Sequence, residues 1–181
     1  MHAYIALGSN LGDRAFHLRE GLRRLGLVGL GPDALSSVWE TEPVDAPGSQ
    51  WFLNLVLRTA TSGAPLEILD LLLGIEADVG RVRSVRNAPR TLDLDLLLLG
   101  DLRCEGPRLT LPHPRMWERR FVMEPLAEIA PELREPATGR SAREICRALG
   151  DTPRVRLWGV LSGSGASSGI IPVFGGEHTR T

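Results

Sequence analysis

The order of strand and helix signals in this sequence predicts an α+β fold: a ferredoxin-like α/β sandwich, with helices on one face of an antiparallel sheet and further helices added towards the C-terminus. Three observations predict it. Apolar stretches at residues 3–7, 35–41, 52–59 and 92–99 have the length or the period of two of strands. Two other stretches, after Asp13 and from Pro65, space their apolar residues three and four apart, as one face of a helix does. The signals run β-α-β-β-α-β, an order that closes most economically when both helices cross the same face of one antiparallel sheet, leaving the opposite face free for ligands.

Residues 3–7 (AYIAL) form the first expected strand, ended by Gly8-Ser9-Asn10-Leu11-Gly12. Asp13 is suited to cap the helix that follows, with Ala15, Leu18, Leu22 and Leu25 on one face and Gly26 as its stop. Residues 35–41 (LSSVWET) and 52–59 (FLNLVLRT) both alternate and flank a loop of Asp45, Pro47 and Gly48, so they pair as antiparallel strands. Pro65 fits the first turn of a second helix, with Leu66, Leu69, Leu72, Leu73, Glu76 and Val79 on one face and Gly80 closing it. After an arginine-rich loop, residues 92–99 (LDLDLLLL) read as a central strand, residues 102–111 as a short hairpin, and residues 118–129 and 141–149 as further helices. One domain is expected over residues 1–158. A Gly/Ser-rich flexible C-terminal tail is expected over 159–181, where the composition shifts to SGSGASSG at residues 162–169.

Composition narrows the classes of function. A hydrophobic fraction of 43%, a charged fraction of 24% and a net charge of -1 over 181 residues exclude wholesale disorder and a broadly basic nucleic-acid coat. Cys104 and Cys146 fit neither a metal-ligand spacing nor a disulfide framework, and residues 1–10 lack a secretory pattern, so a cytoplasmic location is expected. No apolar run reaches the roughly 18 residues of a membrane span. All 21 basic residues are arginine, which removes every lysine-dependent mechanism and leaves any phosphate chemistry to arginine.

Residues 76–95 carry the most chemical information. Asp93 and Asp95, two apart on a strand, present their carboxylates on one sheet face with Cα atoms roughly 6–7 Å apart, close enough to share one Mg²⁺. On spacing alone they also fit the solvated face of an edge strand. Arg81, Arg83, Arg86 and Arg90 precede them with no acidic residue between Arg81 and Arg90, a charge density suited to polyphosphate or, more plainly, to a soluble surface. The two together form the halves of a phosphoryl-transfer site. Glu76 can fix an arginine or accept from a nucleotide, or be a solvated helix charge. His113, rigidly held between Pro112 and Pro114, suits a positioned donor to phosphate or a structural role. Thr41, Pro43, Phe52, Asn54 and Phe121 read by pattern as core residues, but include the stacking rings and the donor-acceptor amide that a flat heterocycle needs. Two rival readings are a metal-dependent phosphohydrolase using the same acid pair and a ferredoxin-like RNA-binding module. The second is poorly served by strands with few exposed aromatics.

The blocks AYIALGSNLGDR, WETEPV, FLN, GRVR, PRTLDLDLLLLG, LTLPHPRM and RRFVMEPLAEIAPEL, in this order over about residues 3–134, resemble the 6-hydroxymethyl-7,8-dihydropterin pyrophosphokinase family. The resemblance is specific because several polar positions, not only apolar ones, agree. It implies transfer of the β,γ-diphosphate of ATP to the hydroxymethyl oxygen of a reduced pterin in folate biosynthesis, with release of AMP. It further implies Mg²⁺ at Asp93 and Asp95, a mobile catalytic loop with Arg81 and Arg90, and a pterin pocket of Thr41, Pro43, Phe52, Asn54 and Phe121. Glu76, Arg83, Arg90, Arg108, His113 and Arg119 resemble ATP-side positions, and Arg86 joins them through the loop. The expected partners are ATP and hydroxymethyldihydropterin, without nucleic acid or membrane, and the expected state is a monomer. The chain departs from many members at Asn87, where a Trp is frequent, at Glu42 within Thr-Glu-Pro, and at Pro114 after the histidine.

Overall fold

A computed structural model describes residues 1–43, 50–80, 90–161 and 170–171. The elements run β1 (His2–Ser9), α1 (Arg14–Leu27), β2 (Ala34–Leu35), β3 (Val38–Thr41), β4 (Phe52–Ala60), α2 (Pro65–Asp78), β5 (Asp93–Leu99), β6 (Cys104–Glu105), β7 (Thr110–Leu111), α3 (Arg120–Ile129), α4 (Ala142–Ala148), β8 (Val155–Leu161) and β9 (Ile170–Ile171). One antiparallel sheet has the order β5-β1-β4-β3-β8-β9, and β2 also pairs with β4. Its first four strands are the expected ferredoxin-like unit, and β8 extends them at the β3 edge.

Period two divides the sheet into two faces. Ile5, Leu7, Leu53, Leu55, Leu57 and Leu94 turn to one face and form the main core with Leu18 and Leu25 of α1 and Ile68 and Leu72 of α2. Each such leucine, fully buried, contributes roughly 1.5–3 kcal/mol relative to exposure. Asp13 caps α1 by accepting the Phe16 N–H at 2.9 Å. The helix runs past Gly26 and stops at Gly29, whose φ of 79° lets its N–H reach the Gly26 carbonyl while Leu30 N–H reaches that of Leu25 at 2.8 Å. The left-handed residue, not the first glycine met, ends the helix. In α2 the buried face is Ile68, Leu72, Ile75 and Glu76, so Leu66, expected inside, is exposed.

The expected strand over 35–41 is two strands. Between them Ser36 is buried, its Oγ accepting Val56 N–H at 3.0 Å and donating to the Ser37 carbonyl at 2.8 Å. The serine hydroxyl competes with the ladder and breaks it. The second sheet face is not free as expected. Val56, Leu97 and Leu98 pack there beneath Met123 and Leu126 of α3 and Ile145 of α4, because the amphipathic α3 must bury its own apolar stripe. Ser141 and Glu144 start α4 as a reciprocal cap, at 3.3 Å and 2.7 Å. At the end of the sheet where β1 and β3 finish and β4 and β5 begin, this face carries polar side chains instead: Thr41, Asn54, Asp93 and Asp95. The boundary expected at residue 158 falls inside β8, which continues to the buried Leu161. Of the expected tail beyond it, only Ile170 and Ile171 are described, paired with Leu161 and Val160. No helix among the described residues is long and apolar enough to cross a membrane.

Candidate active site

Strand register assembles this polar strip. Gly8 of β1 pairs with Asn54 on one side and Asp93 on the other, so the three lie in a row across β4, β1 and β5. Asp95 sits on the same face one step along, opposite Ala6. Gly8 is the floor between the two halves of the strip: a Cβ there would lie 3.0 Å from Asn54 Oδ1 and 3.9 Å from Asp93 Cβ. A strand glycine at this point allows close approach from above.

On the β3–β4 side, Thr41 pairs with Phe52, and Asn54 Nδ2 donates to Thr41 Oγ1 at 2.8 Å. Thr41 and Asn54 are only 2% and 6% exposed. With its amide nitrogen so placed, the Asn54 side chain is held in one orientation. Phe52 and Pro43 are partly exposed beside them. Phe121 comes from the start of α3, and the Arg119 guanidinium lies 5.6 Å from its ring centroid.

On the β1–β5 side, Arg90 Nη1 donates to Asp93 Oδ2, and Arg119 Nη1 lies 3.9 Å from Asp95 Oδ2. Arg90 is held by Asn10: its N–H donates to Asn10 Oδ1 at 2.7 Å, and Asn10 N–H donates to its carbonyl at 3.1 Å. Sequence reasoning missed both Asn10 and Gly8, reading Gly-Ser-Asn as a turn. The usable signal was a polar amide directly after a strand, facing the end of a basic loop.

His113 N–H donates to the Leu97 carbonyl at 2.8 Å, which lays residues 111–115 along the outer edge of β5. Its Nδ1 accepts Arg115 N–H at 3.3 Å, which assigns the proton of the neutral ring to Nε2. Burial, then Arg119 and Arg115, push this histidine below its usual value, against an opposing pull from Asp93, so at neutral pH it is an uncharged donor. Burial also lowers the Arg119 guanidinium, mainly against Asp95, without bringing it near neutrality.

Two predicted ATP-side residues attach elsewhere in the fold. Glu76, 1% exposed, accepts the Leu94 N–H at 2.8 Å through Oε1, satisfying a donor on the edge of β5 from helix α2. Arg108 pairs with Asp70 of α2 through an exposed ion pair. Arg81, Arg83, Arg86 and the departure at Asn87 lie outside the described residues.

Asp93 and Asp95 fit a Mg²⁺ site: two carboxylates on one face, backed by arginines, match an ion that takes one or two protein carboxylates and completes its shell with phosphate and water. No cluster of three His, Cys, Asp or Glu side chains exists among the described residues, so an all-protein cage is not what they offer.

Residues 4–131 match the family model described as 7,8-dihydro-6-hydroxymethylpterin-pyrophosphokinase. The chain is 42% identical over 162 residues to a Bacillus subtilis 2-amino-4-hydroxy-6-hydroxymethyldihydropteridine pyrophosphokinase, covering 89% of this chain and 92% of that protein. It is 42% identical over 148 residues to the Pseudomonas aeruginosa enzyme of the same name, covering 80% and 90%. A mitochondrial folate synthesis bifunctional protein of Pisum sativum is 41% identical over 96% of this chain, which spans 31% of that larger protein. Among solved structures, a Plasmodium falciparum HPPK-DHPS with pteroate superposes with a TM-score of 0.64 over 81% of this chain and 42% of that one. At 16% identity that likeness shows the fold alone.

Proposed function

The chain belongs to the 7,8-dihydro-6-hydroxymethylpterin-pyrophosphokinase family, and from that premise we infer that it transfers the β,γ-diphosphate of ATP to the hydroxymethyl oxygen of 6-hydroxymethyl-7,8-dihydropterin, releasing AMP, in folate biosynthesis. The observation that carries the reading is the row Asn54, Gly8, Asp93. It sets the Asn54 amide beside a carboxylate-arginine cluster on one sheet face, so a heterocycle held at Asn54 would have its substituent directed across Gly8 towards the phosphates.

In this reading Asn54, its amide nitrogen engaged by Thr41, keeps Oδ1 to accept from the pterin, while Phe52 and Phe121 bound the ring. Arg90 and Arg119 neutralise the polyphosphate, and neutral His113 donates from Nε2 to a phosphate oxygen. Glu76 serves the nucleotide side through its hold on β5, and Arg108 from the β6–β7 turn. Arg81, Arg83 and Arg86, which precede Arg90 in the sequence, would bind the same phosphates. Asp93 and Asp95 would hold Mg²⁺, which supplies charge neutralisation of the phosphates. The pterin hydroxyl oxygen bonds to the β-phosphorus as the bond from that phosphorus to the oxygen shared with the α-phosphate breaks; AMP leaves with that oxygen, and the hydroxyl proton is released to solvent. Positioning and electrostatics carry this displacement, with no covalent intermediate on the protein.

The family match does not favour the hydrolase or the RNA-binding alternative. The deciding experiment is product analysis of purified protein with ATP and Mg²⁺. AMP formed only when hydroxymethyldihydropterin is present supports the kinase, whereas phosphate released without it overturns the assignment. A monomer in the cytoplasm is part of the same proposal; light scattering tests the first and fractionation the second.

A further inference from the structure

Behind the proposed slot at Asn54, on the other side of the same two strand ends, three arginines, two glutamates and a tryptophan form one connected cluster. Arg156 of β8 donates to Glu40 Oε2 through Nε at 2.8 Å, while Arg14 of α1 holds Oε1 at 2.9 Å. Arg154 grips Glu42 in a fork, with Nε and Nη2 at 3.2 Å and 3.1 Å. The Trp51 ring lies against two guanidinium groups, 5.3 Å from that of Arg154, just before β8, and 5.1 Å from that of Arg156 within it, and its carbonyl accepts from Arg14. Burial alone would push the Glu40 carboxyl up, but Arg156 and Arg14 together more than reverse this and keep it ionised.

The chain neighbours of the slot residues are what this cluster holds. Glu40 and Glu42 flank Thr41, and Trp51 precedes Phe52. Thr41 itself pairs with Val155 of β8 on one side and with Phe52 on the other, and Glu42 N–H donates to the Arg154 carbonyl at 3.0 Å. Stability alone does not account for the arrangement. The Arg154–Glu42 pair is open, its side chains 71% and 36% exposed, and contributes little to folding, whereas Arg156 reaches a Glu40 side chain that is only 8% exposed and offsets its burial. Their effect is local, fixing backbone on both sides of the slot. Strand β8 also lies outside residues 4–131, so the family match assigns it nothing.

We propose that Arg154, Arg156 and Trp51 are positioning residues for the acceptor slot, through which β8 sets the spacing of Thr41 and Phe52 that grips a flat heterocycle, and so sets affinity for the acceptor without touching it. The inference rests on the reaction proposed above, and the acceptor class is a reduced pterin. The phosphate half hangs on other contacts, Asn10 to Arg90 and Arg119 to Asp95. Nucleotide affinity is therefore separable from it.

The test is calorimetry on the full chain with 6-hydroxymethyl-7,8-dihydropterin, in the presence of an unreactive ATP analogue and Mg²⁺, and with the analogue alone. Wild type is compared with Trp51→Ala, Trp51→Phe and the double variant Arg154→Ala/Arg156→Ala. The double variant and Trp51→Ala should bind the pterin about three- to tenfold more weakly, with analogue affinity within about twofold of wild type, and Trp51→Phe should recover most of the loss. In turnover, KM for the pterin should rise while kcat at saturation holds. Unchanged pterin affinity in a folded Trp51→Ala, or equal losses for both ligands, would overturn the proposal. If Trp51→Ala does not fold, Arg154→Ala, altered only at an exposed side chain, carries the same comparison. Wild-type protein that binds no pterin overturns the reaction itself and this inference with it, whereas wild-type binding with insensitive variants overturns the inference alone.

Discussion

Thr41 and Asn54 are almost wholly buried, joined to each other by a neutral hydrogen bond, and carried on paired strands; across Gly8, Asp93 and Asp95 are partly exposed and face Arg90 and Arg119. The proposed acceptor half is thus finished before a ligand arrives, its polar atoms placed by the sheet ladder. The proposed phosphate half instead holds its charges in internal pairs, which a metal ion and a polyphosphate would replace with stronger ones. Preorganisation suits a neutral heterocycle, whose few hydrogen bonds tolerate little misplacement. Exchangeable ion pairs suit a ligand that brings several charges of its own, because partly exposed pairs cost less to break than buried ones.

The largest effect should come from the acids. Asp93→Ala and Asp95→Ala are each expected to lower turnover on the order of 10³-fold or more, since each removes a proposed metal ligand. Each should change stability by no more than about 1 kcal/mol, because the pairs lost are partly exposed. AMP assays beside thermal melts check both arms. A mutant that unfolds would mean that this half is as structural as the slot, and the comparison would break.

Next in size is Arg90, which ends the basic segment of the sequence and meets β5 through Asp93. Arg90→Ala should lower kcat about 10²–10³-fold, more than it weakens nucleotide binding, if its charge meets the transferring phosphates. Asn10→Ala leaves the guanidinium in place but removes the acceptor for Arg90 N–H, so its loss should be smaller, roughly tenfold in kcat. Asn10→Asp, which keeps that acceptor, should recover part of it. Steady-state kinetics with both substrates varied separates these outcomes. A loss confined to KM for ATP would instead make Arg90 a uniform binding residue.

How far these halves were legible in the sequence follows from the range of the interactions that make them. Asp93 and Asp95 stood out because their facing depends only on strand period, and the strand is unmistakable between leucines. The ferredoxin-like order was readable for the same reason. The buried Glu40 was not: its burial is tolerable only because Arg14, 26 positions earlier, and Arg156, 116 positions later, reach it. The role of Gly8 depends on strands β4 and β5 arriving on either side, and nothing local to Gly8-Ser9-Asn10 reports that. Likewise the second sheet face looked open because α3 was recognised as a helix without a place to dock. Local periodicity announces elements and facings, while register and docking decide which polar residues meet.

The slot can be tested without touching charge. Thr41→Val keeps the shape of the side chain but leaves Asn54 Nδ2 without its buried acceptor, which costs about 1–3 kcal/mol if unrelieved. Pterin affinity should fall roughly tenfold while affinity for an ATP analogue holds. Gly8→Ala sharpens this, because its new methyl group would press on Asn54 Oδ1 at 3.0 Å but only touch Asp93 Cβ at 3.9 Å. It should weaken the pterin more than the nucleotide. Equal loss of both ligands would show that the two halves are one rigid unit and not two.

The smallest effect concerns His113, which borders the phosphate half but is held as firmly as anything in the slot. In the free protein its titration, followed by NMR, should lie below the usual histidine value, since burial and the neighbouring Arg119 both disfavour the cation. The sign of the stability dependence follows. With the folded value depressed, the unfolded chain takes up the proton first, so the contribution of the neutral ring is fully present above about pH 6.5 and is lost as pH falls from there through the folded value. Wild type should therefore lose stability relative to His113→Gln over that acid range and match it in pH dependence above neutrality. If bound nucleotide sets an anion against Nε2, as proposed, adding an unreactive ATP analogue with Mg²⁺ should move the titration upward. A titration that ignores the nucleotide would separate His113 from the phosphates and leave it as a brace between residues 111–115 and the edge of β5, where its N–H already donates to the Leu97 carbonyl.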